Sequence, residues 1–191
     1  MCSSDLSAVQ QGARARDYEE ALLWLEQAGL VHRSFAVAAP KRPLAGYGNR
    51  RLFKLFALDV GLLGAVANLS AAIVLQGNDV FEEFKGALAE QYVAQQLVAG
   101  ETAADPPPLF YWRNERTGTE VDFLLEDDAI VPLEVKSGIN ARSKSLASYR
   151  RSFGPPQVVR ASLLNLKADG DTLNVPLYLL PMMRRLLQRG G

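Results

Sequence analysis

Three observations on the 191-residue sequence predict an α/β fold. Helical and strand periodicities interleave along the chain: apolar residues recur every three or four positions in some windows and every second position in others. The composition, 48% hydrophobic and 22% charged, is that of a globular chain able to bury a normal core. Residues 119–136 form two alternating runs around a tight turn, the pattern of a half-polar β-hairpin. The length suits one domain and a fraction of another.

Residues 17–28 read as a helix. Asp17 is its candidate cap with Glu20 three residues on, Ala21, Leu22, Leu25 and Ala28 form its apolar face, and Gly29 is the natural stop. A strand follows at Leu30 to Val37, then a basic turn region from Pro40 to Arg51, a strand at Leu52 to Leu58, and a short helix over Val60 to Asn68 capped by Asp59. Helix, strand, basic loop, strand is the order at the end of a winged helix. In one reading Lys41, Arg42, Arg50, Arg51 and Lys54 make a DNA-contacting wing. In the other, which is preferred, the loop is solvated or docks against a neighbouring domain.

Asn78 to Ala99 is the longest helical pattern, with one stripe of Phe81, Phe84, Leu88 and Tyr92 and a second of Gly86, Ala87, Val93, Ala94 and Leu97. Glu90 lies in the middle of the second stripe. A carboxylate there is either paired, hydrogen-bonded or metal-bound, or it reaches solvent at the helix edge. Strands are predicted at Leu109 to Arg113, Thr119 to Leu125 and Ile130 to Lys136, a helix at Ala141 to Phe153, strands at Gln157 to Leu164 and Asn174 to Leu180, and a closing basic helix at Pro181 to Gln188.

The formal charge is zero, 21 basic against 21 acidic residues, which speaks against a uniformly basic nucleic-acid binder. The balance is a cancellation. Residues 1–80 carry 8 basic and 7 acidic groups, residues 81–135 carry 3 and 12, and residues 136–191 carry 10 and 2. One cysteine, Cys2, and one histidine, His32, exclude a disulfide framework and a Cys/His zinc site, and fit a reducing, cytoplasmic setting. His32 is read as structural. No apolar run approaches 18 residues, and the start lacks the basic-then-apolar pattern of a secretory leader. Met1-Cys2-Ser3-Ser4-Asp5-Leu6 reads instead as a translated sequencing-adapter tail, so the natural gene is expected to extend upstream. The expected organisation is a disordered or artefactual segment at 1–16, a winged-helix-like region at 17–75 and a second domain at 76–191.

With the hairpin turn centred on Asp128, Asp122 lies opposite Glu134 and Glu120 opposite Lys136. Opposed residues in an antiparallel pair share a face. One face then gathers Glu120, Asp122, Glu134 and Lys136, while Val121, Phe123, Leu125, Val131, Leu133 and Val135 form the other. A one-residue slip would destroy the segregation. Carboxylates opposed at about 5 Å repel unless a cation lies between them. Mg²⁺ prefers such oxygens, and Lys136 is placed to orient or deprotonate an attacking water. A surface hairpin with salt bridges such as Glu120–Lys136 accounts for the same pattern without chemistry.

Glu90, Glu120-Val121-Asp122 and Glu134-Val135-Lys136-Ser137-Gly138, in helix–hairpin–strand–helix–strand order, resemble the PD-(D/E)xK restriction-endonuclease-like superfamily. That resemblance implies a central mixed sheet flanked by helices. Asp122, Glu134 and Lys136 would be its catalytic set, Glu90 its helical acid, and Asp122, Glu134 and Glu90 the Mg²⁺ ligands. The proline that precedes the acid in that pattern is Val121 here. The strings Phe84-Lys85-Gly86-Ala87-Leu88-Ala89-Glu90, Tyr111-Trp112-Arg113 and Glu120-Val121-Asp122-Phe123-Leu124 also resemble the domain of unknown function 4143. So do the upstream strings Leu25-Glu26-Gln27-Ala28-Gly29-Leu30-Val31 and Lys54-Leu55-Phe56-Ala57-Leu58-Asp59.

In that family these segments follow an AAA+ ATPase domain and its winged helix. The resemblance therefore implies the C-terminal portion of a bacterial or archaeal ATPase-family protein, bearing an endonuclease-like domain that cleaves phosphodiesters, with DNA as partner. Arg113, Arg142, Lys144, Arg150 and Arg151 are the candidate phosphate contacts. No G-x-x-x-x-G-K-[S/T] string occurs, so ATP would belong to the missing upstream domain. The rival expectation is a non-catalytic module that regulates the ATPase or docks a partner, because fold does not imply function.

Overall fold

The computed structural model describes residues 18–69, 79–100, 108–138 and 143–188. Met1 to Leu6, the Asp17 cap and Arg142 lie outside these residues, as do the side chains of Phe81 and Phe84. The chain is a mixed α/β structure. Its elements are α1 (Glu19–Gln27), β1 (Val31–Val37), β2 (Asn49–Ala57), α2 (Val60–Val66), α3 (Asp79–Ala99), β3 (Leu109–Arg113), β4 (Glu120–Val121), β5 (Phe123–Glu126), β6 (Ile130–Val135), α4 (Lys144–Phe153), β7 (Val158–Ser162), β8 (Lys167–Asp169), β9 (Thr172–Pro176) and α5 (Met183–Gln188).

Local chemistry sets the helix ends. Gly29 (φ +70°) lets the N–H of Leu30 return to the carbonyl of Leu25, closing α1. The Asp59 carboxylate accepts from the N–H of Leu62 at 2.7 Å and starts α2 as predicted. The Ser143 hydroxyl accepts from the N–H of Leu146 at 3.1 Å to start α4, and Gly154 (φ +56°) ends it.

Two mixed sheets replace the single central sheet expected. The first has the order β2-β1-β3-β4 and the second β5-β6-β7-β9-β8. In the first, β1 pairs antiparallel with β2 and parallel with β3. Residues expected in a winged-helix-like region and residues expected in the second domain therefore share one sheet. In the second, β6, β7 and β9 run parallel, with β5 and β8 antiparallel at the edges.

Two apolar clusters lie on the two sides. Val93 and Ala94 of α3, with Leu180 and Met183, cover Phe123, Leu133, Val159 and Val175. Leu22 of α1 and Leu146 and Tyr149 of α4 pack with Phe35, Trp112, Val121, Leu124 and Val158. Successive residues such as Val158 and Val159 enter opposite clusters, as strand geometry requires.

The hairpin register follows the prediction: Phe123 pairs with Leu133 and Glu126 with Ile130. The first strand, however, is broken at Asp122. The Asp122 carboxylate accepts the N–H of Val135 at 2.7 Å, taking the place of a ladder acceptor. The chain then belongs to the other sheet, where Val121 pairs with Trp112. Val121 accordingly packs beside Trp112 and Leu124, in the cluster opposite Phe123, which corrects the single apolar face expected. Two further differences occur near the end. Lys167–Asp169 is a strand lying between the two predicted at Gln157 to Leu164 and Asn174 to Leu180, and it went unpredicted because all three residues are exposed and give no apolar alternation. Leu177–Met182 is a 3₁₀ turn instead of strand, since Pro176 and Pro181 withdraw donors from a ladder. Among the described residues no helix is long and apolar enough to cross a membrane.

Candidate functional site

Asp122 sits where the chain passes from one sheet to the other, and ionisable side chains converge there from five segments. Glu134 of β6 is buried, and the Ser145 hydroxyl of α4 lies 2.8 and 2.9 Å from its two oxygens. Lys136 Nζ donates to Glu134 Oε1 at 2.7 Å. The backbone N–H of Lys136 is held by the Ala161 carbonyl at 2.8 Å, which anchors the segment after β6 to β7.

From the α3 side, Gln91 is buried and clamps Ala57 twice, accepting from its N–H at 2.9 Å and donating to its carbonyl at 2.7 Å. This clamp sets the rotation of α3 against β2 and brings Glu90 alongside Lys54. Lys54 Nζ lies 3.7 Å from Glu90 Oε2 and 3.4 Å from Glu120 Oε2, and 4.9 Å from the centre of the Tyr111 ring. Glu120 also receives Arg113 Nη1 at 2.6 Å.

Burial raises the Asp122 carboxyl to about 7, and the neighbouring charges of Glu90 and Glu134 push the same way against Lys54 and the Val135 N–H. The ionised form of Asp122 is thus disfavoured first by burial and then by the like charges beside it. A carboxyl so placed takes up either a proton or a cation.

Of the expected set, Glu90, Asp122, Glu134 and Lys136 all reach this junction. The Glu120–Lys136 bridge does not form, because Lys136 turns to Glu134 while Glu120 takes Arg113 and Lys54. Arg113 is therefore an internal partner of the cluster. Arg150 faces away from it and binds Asp171 and Thr172. Lys144 and Arg151 are exposed, and Arg142 lies outside the described residues.

Sequence reasoning missed Ser145 and placed Lys54 either in a DNA-contacting wing or, in the preferred reading, in a solvated or docking region, and in neither among the acids. The signal for Lys54 was present: it is a lone cation inside the run Leu52-Phe53-Lys54-Leu55-Phe56. The basic loop itself is fastened down. Arg42 donates to the Asp128 carbonyl at 2.6 Å and the N–H of Leu44 to Glu126 Oε2 at 2.8 Å, so the loop docks on the β5–β6 hairpin. Arg50 and Arg51 remain exposed. His32, on β1 opposite Phe56, has its pKa lowered by burial against the pull of Glu26. A cavity of about 510 Å³, lined by Leu97, Leu109, Leu180 and Met183 among others, shares no lining residue with the acidic cluster.

A family model described as Domain of unknown function (DUF4143) matches residues 85–180, just over half of the chain, and the chain belongs to that family. A model of a second domain of unknown function, DUF8612, matches residues 3–72. No curated protein and no solved structure matches the chain.

Proposed function

We propose, with membership of the DUF4143 family as the premise, that this chain carries a restriction-endonuclease-like domain that hydrolyses phosphodiester bonds of DNA with Mg²⁺. The observation that carries the reading is the convergence of Asp122, Glu134 and Lys136 at the sheet junction, with the Asp122 carboxyl raised by burial and by its acidic neighbours. The donor chemistry fits a hard divalent cation, since carboxylate oxygens are its preferred ligands. Among the described residues no three Asp, Glu, His or Cys side chains are grouped to hold a metal. Asp122 and Glu134 would then be the two side-chain ligands, which suits an ion that keeps several waters. Bound there, Mg²⁺ supplies Lewis-acid relief for the charge that builds on the phosphate oxygens.

The chain's own groups do the rest. Lys136, held by Glu134, would orient a water whose oxygen bonds to phosphorus while it gives one proton to bulk solvent, as the bond to the leaving sugar oxygen breaks and that oxygen takes a proton from solvent. Lys144 and Arg151, exposed on α4, would meet the phosphate backbone. The partial winged helix at 17–75 and the association with an AAA+ ATPase domain belong to the same proposal: the α1–β1–β2 order is in keeping with the first, and the second rests on the family resemblance alone.

One observation favours a second reading, a catalytically inactive module that regulates the ATPase or docks DNA. Glu134 already has Lys136 and Ser145, and Glu90 and Glu120 already share Lys54. A plasmid-nicking assay with Mg²⁺ separates the two. Asp122→Ala and Lys136→Met should each lower nicking on the order of 10²–10³-fold. Nicking that survives both substitutions defeats the nuclease reading, and a wild-type chain inert with every plasmid form and divalent ion supports the module.

A further inference from the structure

Arg160 of β7 is a charged side chain that the proposed reaction leaves unused. Among the described residues the partly buried arginines are Arg33, Arg113, Arg150 and Arg160. Arg33 binds Glu19 and Glu26, Arg113 binds Glu120, and Arg150 binds Asp171 through Nη2. Among the same residues Arg160 meets no carboxylate, and its Nε is buried without a hydrogen-bond partner. The Nε of Arg150 is unpaired as well, but its Nη2 is held. Withdrawing a guanidinium from water without a partner costs free energy, which an anion from outside the chain recovers through the paired donors of the fork.

The sheet sets Arg160 in a row. Its neighbours in register are Glu134 on β6 and Asn174 on β9, and Lys167 of β8 pairs with Asn174. Leu133, Val135, Val159, Ala161, Leu173 and Val175 all enter the cluster under α3. Alternation therefore turns Glu134, Arg160 and Asn174 to the opposite face, which α4 covers in part, and Lys167 shares that face as the partner of Asn174. The acids beside Arg160 are engaged: Glu134 by Lys136 and Ser145, and Asp171 by Arg150. Asp169 lies further along β8, opposite Thr172. Asn174 is turned to Ser162 and to the Leu164 and Asn165 carbonyls. Arg160 and Lys167 stand two strand spacings apart, about 10 Å, so one strand of nucleic acid can meet both. We propose that Arg160 and Lys167 form a phosphate-contacting surface that holds the backbone of DNA beside the Glu134–Lys136 side of the junction. This rests on the DNA reading above and names the surface that meets the strand, in place of Arg113 and Arg150, which the fold already engages. It requires neither a metal ion nor hydrolysis.

The test is fluorescence anisotropy of a labelled DNA duplex with the full chain in EDTA, so that neither metal nor cleavage enters, repeated over a range of salt concentrations. The wild type should bind, with log K falling as log[salt] rises. Arg160→Gln should bind on the order of 10-fold more weakly and make that slope shallower by about 1, and adding Lys167→Gln should make it shallower by about 2 in all. Arg160→Lys should keep the slope while losing affinity with the fork. Arg51→Gln, which removes an exposed charge from the edge strand of the other sheet, should change neither. Because no carboxylate holds the guanidinium, Arg160→Gln should melt no lower than the wild type. Unchanged affinity and slope in Arg160→Gln, a loss in Arg51→Gln as large as in Arg160→Gln, or a wild type that binds no DNA overturns the inference. So does an Arg160→Gln chain that melts far below the wild type, since the guanidinium then serves the fold. The nuclease reading fails separately. Arg160-dependent binding by a chain that never nicks plasmid with Mg²⁺ upholds the surface and defeats the nuclease, while nicking with binding indifferent to Arg160 does the reverse.

Discussion

Asp122→Asn isolates the cost of burying an ionisable carboxyl at the sheet junction. In the unfolded chain the Asp122 carboxyl loses its proton near 3.8, and in the folded chain at about 7. Between those values the folded state holds a proton that the unfolded state lacks. The stability linked to it is fully present below pH 3.8 and is lost progressively as the pH rises through 7. At about 1.4 kcal/mol per pH unit, the loss is roughly 2 kcal/mol at pH 5 and about 4 kcal/mol at pH 8. Asparagine cannot ionise, yet its side-chain oxygen can still accept the Val135 N–H that Asp122 accepts at 2.7 Å. The variant should therefore be the more stable protein in EDTA, by an amount that grows across that range. At pH 8 its melting temperature should exceed that of the wild type by about 8–16 °C, at 2–4 °C per kcal/mol for a chain of this size. Paired urea or thermal melts from pH 5 to pH 8 read the difference directly. A difference that is flat with pH, or a variant less stable than the wild type at pH 8, would refute the electrostatic reasoning.

Other positions test packing and local geometry. Gln91→Leu strips both partners from the Ala57 backbone and should cost about 2–4 kcal/mol in urea unfolding, with a loss below 1 kcal/mol counting against the clamp. Trp112→Ala empties a site where the ring meets Tyr149 at 5.4 Å and Phe153 at 5.8 Å edge-on, and should cost about 3–5 kcal/mol by the same assay. Gly154→Ala places a Cβ where no atom lies within 4 Å, so only the left-handed backbone (φ +56°) resists it. About 1–2 kcal/mol is expected, and no loss at all would contradict the helix-end geometry.

Much of the chain was legible because its signals are local. The Asp59 cap, the Gly29 stop, the strand at Leu109 to Arg113 and the hairpin register each follow from residues within a few positions of one another. The convergence of Asp122, Glu134 and Lys136 was also foreseeable from alternation across the hairpin, whereas Glu90 joined them only through the family resemblance, since its helix alone left solvent open to it. The partners of those acids were not. Glu120 was assigned to Lys136 across an ideal ladder, but the ladder ends at Phe123 once the Asp122 carboxylate captures the Val135 N–H.

Sequence by itself determined the α/β class, the placement of most elements and the identity of the acidic residues, because periodicity, capping and turn chemistry act over a few residues. Tertiary structure alone decided that the N-terminal hairpin shares a sheet with β3, that Asp122 stands between two sheets, and that Lys54 turns inward to Glu90 and Glu120. Each of these depends on contacts between residues tens of positions apart. Whether a lysine in an apolar run is a surface contact or a buried counter-ion is set by which carboxylates the completed fold brings within reach.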